Sequence, residues 1–373
     1  MTSPEAASSD GRLHVALPLL TYVPGGMGGS ETYVSELTRD LVGRDDVRVT
    51  VGLPEIAKDF LPTGQARVAH GVRGGGSARE RVLSQLRAER SPAARAIVRG
   101  ADVVHYPLTV PSPRPPRGTP VVQTLLDTQH HDLGQNFSRA EKVYRRLRYD
   151  APARRADAVI TISDFCKERI THHLGIAPER IHVAHLGVDA DAFQPNLGER
   201  EDFVLYPARS WPHKNHQRLV EAMVRVRETR PGMRLVLTGG ALETLGELPP
   251  WVEVKGLVSR DELLSLYRRA ACLAFPSLYE GFGLPPLEAM ASGCPVAAAT
   301  SGSLPEVCGD AAVLFDAHRP ESIASAVLEA VEHRESLVAR GLDRSRQFTW
   351  QRCADVHVRT YAEVAGTRTG AVG

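Results

Sequence analysis

Two glutamates, Glu280 and Glu288, carry the most specific chemical pattern in this sequence, because a glycine- and proline-rich segment of seven residues separates them. A buried strand should end at Phe275, and a helix should begin near Pro285 or Pro286, since proline is tolerated in the first turn of a helix. Loop glycines let main-chain N–H groups approach a ligand, and a helix N-terminus offers such groups to an anion. The two carboxylates can accept hydrogen bonds from hydroxyls on either side. The pattern therefore predicts a site for a phosphate flanked by two polyhydroxylated groups, as in a nucleotide sugar.

Two cations, Arg209 and Lys214, form a second constellation between a predicted strand and a helix that Asn215 should cap. Arginine can bind two phosphate oxygens at once, and lysine supplies a compact charge. Such a pair suits a diphosphate, and it would stabilise the negative charge that a diphosphate gains as it leaves. A surface salt bridge is the alternative interpretation.

The segment Phe275–Pro295, FPSLYEGFGLPPLEAMASGCP, resembles the E-x7-E signature of the retaining glycosyltransferases of family four, which adopt the GT-B fold. The resemblance implies that Glu280 binds hydroxyls of the donor sugar, that Glu288 binds the ribose, and that Arg209 and Lys214 bind the diphosphate. The other donor-binding residues implied in this segment are Phe282, Gly283 and Leu284.

Weaker matches extend the resemblance. The turn at Gly28 and Gly29 should let the backbone approach the sugar diphosphate and the acceptor. Gly239 follows a predicted strand, and Val258 would lie beside the base. A dinucleotide fingerprint is excluded at the first turn, because Glu31 stands where its third glycine is required.

The segment Leu126–His130 follows the fourth predicted strand and resembles the H-D-L-Q-H type segment of the family, with leucine in place of the first histidine. Asp127 and His130 are retained as candidate catalytic residues, which could bind hydroxyls of the donor sugar or of the acceptor. A structural Asp/His pair is the alternative.

Short apolar runs alternate with helical patterns, which indicates parallel sheets covered by helices. The predicted strands are Leu13–Leu20, Val47–Leu53, Val103–Tyr106, Val121–Leu126, Ala158–Ser163, Phe203–Ala208, Arg234–Thr238, Val252–Lys255, Cys272–Pro276 and Pro295–Ala299. The fold class is therefore α/β, with two Rossmann-like, doubly wound domains facing across a cleft, as in GT-B. We expect an acceptor-side domain over 1–195, a nucleotide-sugar-binding domain over 196–348, and a terminal helix in 349–373 that crosses back to the first domain.

The composition of the 373 residues, with 42% hydrophobic, 24% charged and a net charge of +1, is that of a soluble globular protein. No apolar run approaches the roughly 18 residues that span a bilayer. Met1–Gly11 reads as a disordered lead-in and lacks the pattern of a signal peptide. Five scattered cysteines argue against disulfides and zinc ribbons, and reduced thiols lead us to expect a cytoplasmic location. No nucleic-acid partner is expected.

A basic helix is predicted over residues 139–155, started by a capping box at Ser138 and Glu141. Its cations are Arg139, Lys142, Arg145, Arg146, Arg148, Arg154 and Arg155. Such a helix suits weak peripheral contact with an anionic membrane at its inner face, or an acidic acceptor, and a solvated helix face is the alternative.

The expected reaction is transfer of a hexosyl group to a hydroxyl acceptor with retention. The resemblance allows GDP-mannose, UDP-glucose or UDP-GlcNAc (UDP-N-acetylglucosamine) as donor, with mannose favoured by the segment at Asp127. No cofactor and no metal are expected, and the acceptor is unknown. A non-catalytic nucleotide-sugar-binding or scaffold protein and a GT-B-fold sugar-nucleotide isomerase are the alternatives.

Overall fold

A computed structural model describes residues 11–62, 64–74, 78–189 and 192–369. The chain folds into two compact units. Among the described residues, the first unit takes those within 1–161, 169–184 and 353–373, and the second takes those within 162–168 and 185–352. Each unit is therefore assembled from stretches that are separate in the sequence.

The first unit is built on a parallel sheet of seven strands. These are β1 (Leu13–Pro18), β2 (Val47–Leu53), β3 (Ala66–Val68), β4 (Val103–Tyr106), β5 (Val121–Thr124), β6 (Ala158–Thr161) and β7 (Ile181–Val183). They lie in the order β3-β2-β1-β4-β5-β6-β7. This is a doubly wound order, in which the direction of winding reverses between β1 and β4.

The second unit repeats the plan with six parallel strands. These are β8 (Glu201–Pro207), β9 (Arg234–Thr238), β10 (Val252–Gly256), β11 (Ala270–Phe275), β12 (Val296–Ala299) and β13 (Val313–Phe315). Their order is β10-β9-β8-β11-β12-β13, so the reversal lies between β8 and β11.

The α-helices of the described chain flank these sheets. They are α1 (Gly29–Val42), α2 (Ala78–Arg90), α3 (Pro92–Val98), α4 (Gln129–Asp132), α5 (Arg139–Arg145), α6 (Ala151–Arg155), α7 (Asp164–Leu174), α8 (His216–Thr229), α9 (Arg260–Arg269), α10 (Leu284–Ala291), α11 (Leu304–Cys308), α12 (Pro320–Glu332), α13 (Arg334–Ser345) and α14 (Trp350–Thr369). A π-helical turn, Arg146–Asp150, joins α5 to α6. Several strands, including β4, β6, β11 and β12, are buried along their whole length, as expected where helices cover both faces of a parallel sheet.

Every strand predicted from an apolar run is present, with differences only at the ends. The prediction missed the short strands β3, β7 and β13, which offer too few residues for a periodic signal. The capping box of α5 is confirmed, because the Glu141 N–H donates to Ser138 Oγ at 3.2 Å and the Ser138 N–H donates to Glu141 Oε2 at 2.9 Å. The predicted lead-in lies outside the described residues, apart from Gly11. No helix in the described ranges has both the length and the apolarity to cross a membrane.

A chain of buried hydrogen bonds attaches α14 to the sheet of the first unit. Tyr361 Oη donates to His105 Nδ1 at 2.7 Å, and His105 Nε2 donates to Thr124 Oγ1 at 2.8 Å. The hydroxyl of Tyr33 lies 2.9 Å from Thr124 Oγ1 and 2.9 Å from His357 Nε2. Burial lowers the pKa of His357 to about 4 and the pKa of His105 well below its usual value. Both imidazole rings are therefore neutral, and each residue in this series of hydrogen bonds donates one of them.

Candidate active site

The segment of Glu280 and the segment of Arg209 and Lys214 meet in the second sheet, at the point between β8 and β11 where the direction of winding reverses. β8 and β11 are neighbouring parallel strands. Arg209 and Lys214 follow the C-terminal end of β8, and Glu280 follows that of β11. The N–H of Leu278 donates to the carbonyl of His213 at 2.7 Å, which joins the two loops. Open α/β sheets bind ligands at such a point.

An ion pair connects the two loops. Lys214 Nζ donates to Glu280 Oε1 at 2.6 Å, and the two side chains are only 15% and 13% exposed. The hydroxyl of Tyr206 donates to the carbonyl of Lys214 at 2.6 Å, which fixes the main chain of the lysine. An ammonium group has three donors. Lys214 can therefore contact a phosphate oxygen without releasing Glu280.

Asn215 stands at the N-cap position of α8, but its expected capping hydrogen bond is not formed. Its backbone adopts the left-handed conformation, and no side-chain cap is present. Its amide instead donates to the carbonyls of Pro276 and Ala317 at 3.1 and 2.8 Å. Asn215 therefore ties the cationic loop to the end of β11, which the spacing of the sequence did not reveal.

Arg209 packs against the loop that follows β9. A Cβ atom on Gly239 would lie 2.5 Å from the carbonyl oxygen of Ala208, so only glycine allows this approach. A Cβ atom on Gly240 would lie 3.5 Å from Arg209 Cζ, which places the guanidinium beside the main chain. Arg209 forms no ion pair with any described residue. The salt-bridge alternative therefore does not apply to Arg209.

Residues 301–303 hold the loop that carries Glu280. A Cβ atom on Gly302 would lie 2.5 Å from the carbonyl oxygen and 2.7 Å from the nitrogen of Glu280, and its φ is +60°. Ser303 donates its N–H to the Glu280 carbonyl at 3.2 Å and its hydroxyl to the Phe282 carbonyl at 2.6 Å. The hydroxyl of Ser163 donates to the carbonyl of Gly281 at 2.7 Å. The carbonyls of the three successive residues 280–282 thus all accept hydrogen bonds. These bonds fix the main chain of the loop and therefore the direction of the Glu280 side chain.

The N-terminus of α10 is a narrower anion site than the sequence suggested. The helix begins at Leu284, after Gly283 at its N-cap. Pro285 and Pro286 follow and carry no N–H. Within the described chain the amides of Gly283 and Leu284 donate to no other group. These two amides are main-chain donors left for an anion.

Glu288 lies in the second turn of α10 and has a different environment from Glu280. Its Oε2 accepts a hydrogen bond from Tyr267 Oη at 2.8 Å. Burial raises the pKa of Glu288 above its usual value, although the hydrogen bond from Tyr267 and the charge of Arg260 oppose the increase. The second carboxylate oxygen can accept a hydroxyl of a ligand.

In the first unit, Asp127 and His130 follow β5. Asp127 Oδ1 accepts the N–H of Gln129 at 3.0 Å. His130 is only 3% exposed, and its Nε2 lies 3.0 Å from Asp150 Oδ1. His131 Nε2 contacts the other Asp150 oxygen at 2.8 Å, and its side chain is 18% exposed. In this conformation His130 is a buried member of an Asp/His cluster, and His131 is the more accessible imidazole.

The remaining candidates lie in loops at the C-terminal ends of strands. Gly28, with φ of 57°, is the N-cap of α1, and Gly29 is the first residue of that helix. The carboxylate of Glu31 accepts the N–H of Gly25 at 2.8 Å, which closes the loop on itself. Val258 follows β10 and is partly buried.

The described chain contains two clusters, each of which brings three potential metal ligands within 4.8 Å of one another. They are His130, His131 and Asp150 in the first, and Asp164, His185 and Glu306 in the second. Hydrogen bonds already occupy the carboxylates of Asp150 in the first cluster and Glu306 in the second. Glu306 accepts from His185 Nε2 at 2.6 Å and from the N–H of Asp164 at 2.8 Å, and so caps α7. A metal would have to replace these bonds.

Sequence analysis did not select Tyr206, Tyr267, Gly302 or His131 as site residues. An aromatic residue within an apolar run is typical of a core, and nothing local shows where its hydroxyl bonds.

Two family models match the chain. One, described as Glycosyltransferase Family 4, matches residues 27–192, and the other, described as Glycosyl transferases group 1, matches residues 188–341. Together they extend over most of both units.

Among curated proteins, the chain is similar to the O-antigen chain mannosyltransferase B of Escherichia coli, with 31% identity over 230 residues, 55% of this chain and 60% of that protein. It is also similar to the MMP alpha-(1->4)-mannosyltransferase of Mycolicibacterium hassiacum, with 31% identity over 224 residues, 56% of this chain and 54% of that protein. The chain thus spans little more than half the length of these relatives.

Among solved structures, a sucrose-phosphate synthase from Thermosynechococcus elongatus has a TM-score of 0.79 at 20% identity, covering 95% of this chain and all of that one (100%). HepE of Anabaena, solved with UDP and glucose, has a TM-score of 0.65 at 17% identity, covering 96% of this chain and 100% of that one. At these identities the likeness concerns the fold.

Proposed function

The chain belongs to glycosyltransferase family 4 and has the GT-B fold. From that premise we propose that it transfers a hexosyl group from a nucleotide-diphosphate sugar to an acceptor hydroxyl, with retention of anomeric configuration. The observation that carries the proposal is the ion pair of Lys214 and Glu280 at the reversal point, with the unpaired Arg209 on the same loop and Glu288 on α10. Cations and carboxylates placed together suit a ligand that has both phosphates and hydroxyls.

The donor contacts follow from the chemistry of each group. Arg209 and Lys214 bind the diphosphate, together with the amides of Gly283 and Leu284. Glu280 accepts hydroxyls of the donor sugar and Glu288 accepts those of the ribose. Lys214 bridges the two halves of the ligand, because one of its N–H groups stays on Glu280 while another reaches a phosphate oxygen. Phe282, Gly239 and Val258 line the donor site.

In the reaction, the acceptor oxygen forms a bond to the anomeric carbon on the face from which the diphosphate departs. The bond between that carbon and the phosphate oxygen breaks, and the leaving phosphate takes the acceptor proton. The charge that develops on the diphosphate is stabilised by the two cations, which act more strongly in the transition state than in the ground state. No metal is required in this scheme.

The residues of the first unit are assigned to the sugar and the acceptor. Asp127 and the amides at Gly28 and Gly29 contact the transferred sugar or the acceptor. His130 orients Asp150 and His131, since its own ring is buried. The imidazole that contacts a hydroxyl is then His131.

Mannose is the sugar we propose, because the two curated relatives described above are named mannosyltransferases and because the Asp127–His130 segment favours it. GDP-mannose is therefore the first donor to test, and UDP-glucose and UDP-GlcNAc are the comparisons. We further propose a cytoplasmic site of action.

Donor turnover is the decisive measurement. The wild-type chain should release nucleoside diphosphate only with its donor and an acceptor, and Glu280→Gln and Lys214→Met should each reduce kcat by roughly a hundredfold or more. Glu262→Gln is a matched control, because its 3.2 Å ion pair with Lys255 lies on an exposed part of the same unit. NMR of the product anomer tests retention separately, and an inverted product would rule that part out.

The alternatives give different results in the same assay. A scaffold protein would bind donor with no turnover across a wide panel of acceptors. An isomerase would convert the donor sugar without releasing the nucleoside diphosphate. Either outcome would replace the transferase assignment while leaving the donor site intact.

A further inference from the structure

Helix α2 turns its apolar side chains toward solvent. Val82, Leu83 and Leu86 are 40%, 51% and 48% exposed, whereas Ser84 and Gln85, on the opposite side of the helix, are 4% and 5% exposed. A surface helix of a globular protein ordinarily has the reverse arrangement. An outward apolar stripe on a well-formed helix indicates a surface that is covered by something else.

Hydrogen bonds fix this orientation. Ser84 Oγ accepts the N–H of Gly74 at 3.1 Å, and Gln85 Nε2 donates to Tyr144 Oη at 2.6 Å. Rotating the helix to bury the leucines would break both bonds and leave buried polar groups unsatisfied. Because Tyr144 belongs to α5, the second bond also shows that α2 and α5 are neighbours.

The adjacent helical segment continues the same pattern. Arg139, Lys142, Val143, Arg146 and Leu147 recur at intervals of three and four, so they share one face. Val143 and Leu147 are 53% and 64% exposed. None of the three cations forms an ion pair with a described residue.

Exposed Arg87 and Arg90 add two further cations on α2 that have no ion pair in the described chain. We propose that this surface binds an anionic lipid bilayer. We call it the docking face, and it consists of Val82, Leu83, Leu86, Arg87, Arg90, Arg139, Lys142, Val143, Arg146 and Leu147. Cations interleaved with apolar side chains match the boundary between headgroups and acyl chains. A soluble acidic ligand would need the cations but would leave the apolar side chains in water.

The test is sedimentation of the full chain with vesicles, which needs neither donor nor acceptor and so is independent of the proposed transferase activity. Vesicles of phosphatidylcholine with about one quarter phosphatidylglycerol should bind the chain, those of phosphatidylcholine alone should not, and salt should weaken binding. A charge variant (Arg139→Gln, Lys142→Gln, Arg146→Gln) should lose roughly fivefold in partitioning per cation. An apolar variant (Leu83→Ser, Leu86→Ser, Leu147→Ser) should lose about tenfold or more.

The matched control changes exposed residues of the second unit: Val224→Ser, Val254→Ser, Arg319→Gln and Arg340→Gln. It should bind vesicles like the wild type, since Val224 and Val254 are similarly exposed at 52% and 47%. All substituted residues are at the surface, so circular dichroism should show an unchanged fold. Equal losses in the control, absence of binding to anionic vesicles, or full binding by the apolar variant would each overturn the proposal.

Discussion

Gly302→Ala is the substitution that most directly tests how the position of Glu280 is set. Gly302 has φ of +60°, and a Cβ atom on it would lie 2.5 Å from the carbonyl oxygen of Glu280. Cβ contacts under 3.0 Å essentially never occur, so the Glu280 main chain must move by at least the difference of 0.5 Å. Its carbonyl is held by Ser303 at 3.2 Å, so the movement passes into the 280–283 loop.

The expected loss of activity follows from that displacement. Misplacement by about 1 Å costs roughly a hundredfold in rate, so a shift of half that size or more should lower kcat by about tenfold to a hundredfold. The left-handed backbone adds a stability cost of about 1–2 kcal/mol for any side chain at this φ. Gly175→Ala separates the two effects, because Gly175 has φ of +62° but no atom within 4 Å of its Cβ position.

Both variants should therefore lose similar stability in thermal unfolding followed by circular dichroism, but only Gly302→Ala should lose activity. The assay is release of nucleoside diphosphate at saturating donor and acceptor, at a temperature where both variants are folded. If Gly302→Ala kept the kcat of Gly175→Ala within about twofold, the contact with Glu280 would not position the carboxylate and the reasoning would fail.

Three further predictions concern groups away from that contact. Tyr267→Phe removes the hydrogen bond that opposes the raised pKa of Glu288, so the donor KM should rise several-fold, more at low pH than at high pH, whereas a pH-independent KM would contradict it. His357 has a pKa lowered to about 4 in the folded chain, so its contribution to stability is present above about pH 6.5 and is lost as pH falls toward 4. Between pH 7 and pH 5, the unfolding free energy of His357→Asn should therefore fall by roughly 2 kcal/mol less than that of the wild type. Urea titrations followed by circular dichroism measure this difference, and an equal fall in both proteins would contradict the prediction. Arg200→Met should cost about 3 kcal/mol or more, because Arg200 donates to the carbonyls of Tyr267 and Ala270, each at 2.9 Å, and a loss under about 1 kcal/mol in urea unfolding followed by tryptophan fluorescence would refute that account.

The sequence alone determined the fold class and the family. Continuous apolar runs such as β11 mark strands buried on both faces, and helices between them require parallel pairing. The context of Glu280 and Glu288 identified the family because a loop that binds a ligand through its own backbone keeps its chemistry in consecutive residues. For the same reason Arg209 and Lys214 could be selected from their position between a strand and a helix.

Only the tertiary structure decided which partners those residues have. Lys214 and Glu280 are 66 residues apart, and their pairing depends on β8 and β11 being neighbours. Periodicity indicates that a side chain such as Tyr267 is buried but not which carboxylate its hydroxyl reaches. The spacing of His130 and His131 likewise does not show that His130 is only 3% exposed, whereas the side chain of His131 is 18% exposed.

The outward apolar stripe of α2 makes the same point for a surface. Leu83 and Leu86 would be assigned to a core by their hydrophobicity, and Gln85 to solvent. The hydrogen bond from Gln85 to Tyr144 of another helix reverses both assignments. A sequence pattern indicates whether each residue prefers the core or the solvent. Which of these preferences are met depends on the hydrogen bonds that buried polar groups form with segments distant in the chain, because an unsatisfied buried polar group costs free energy.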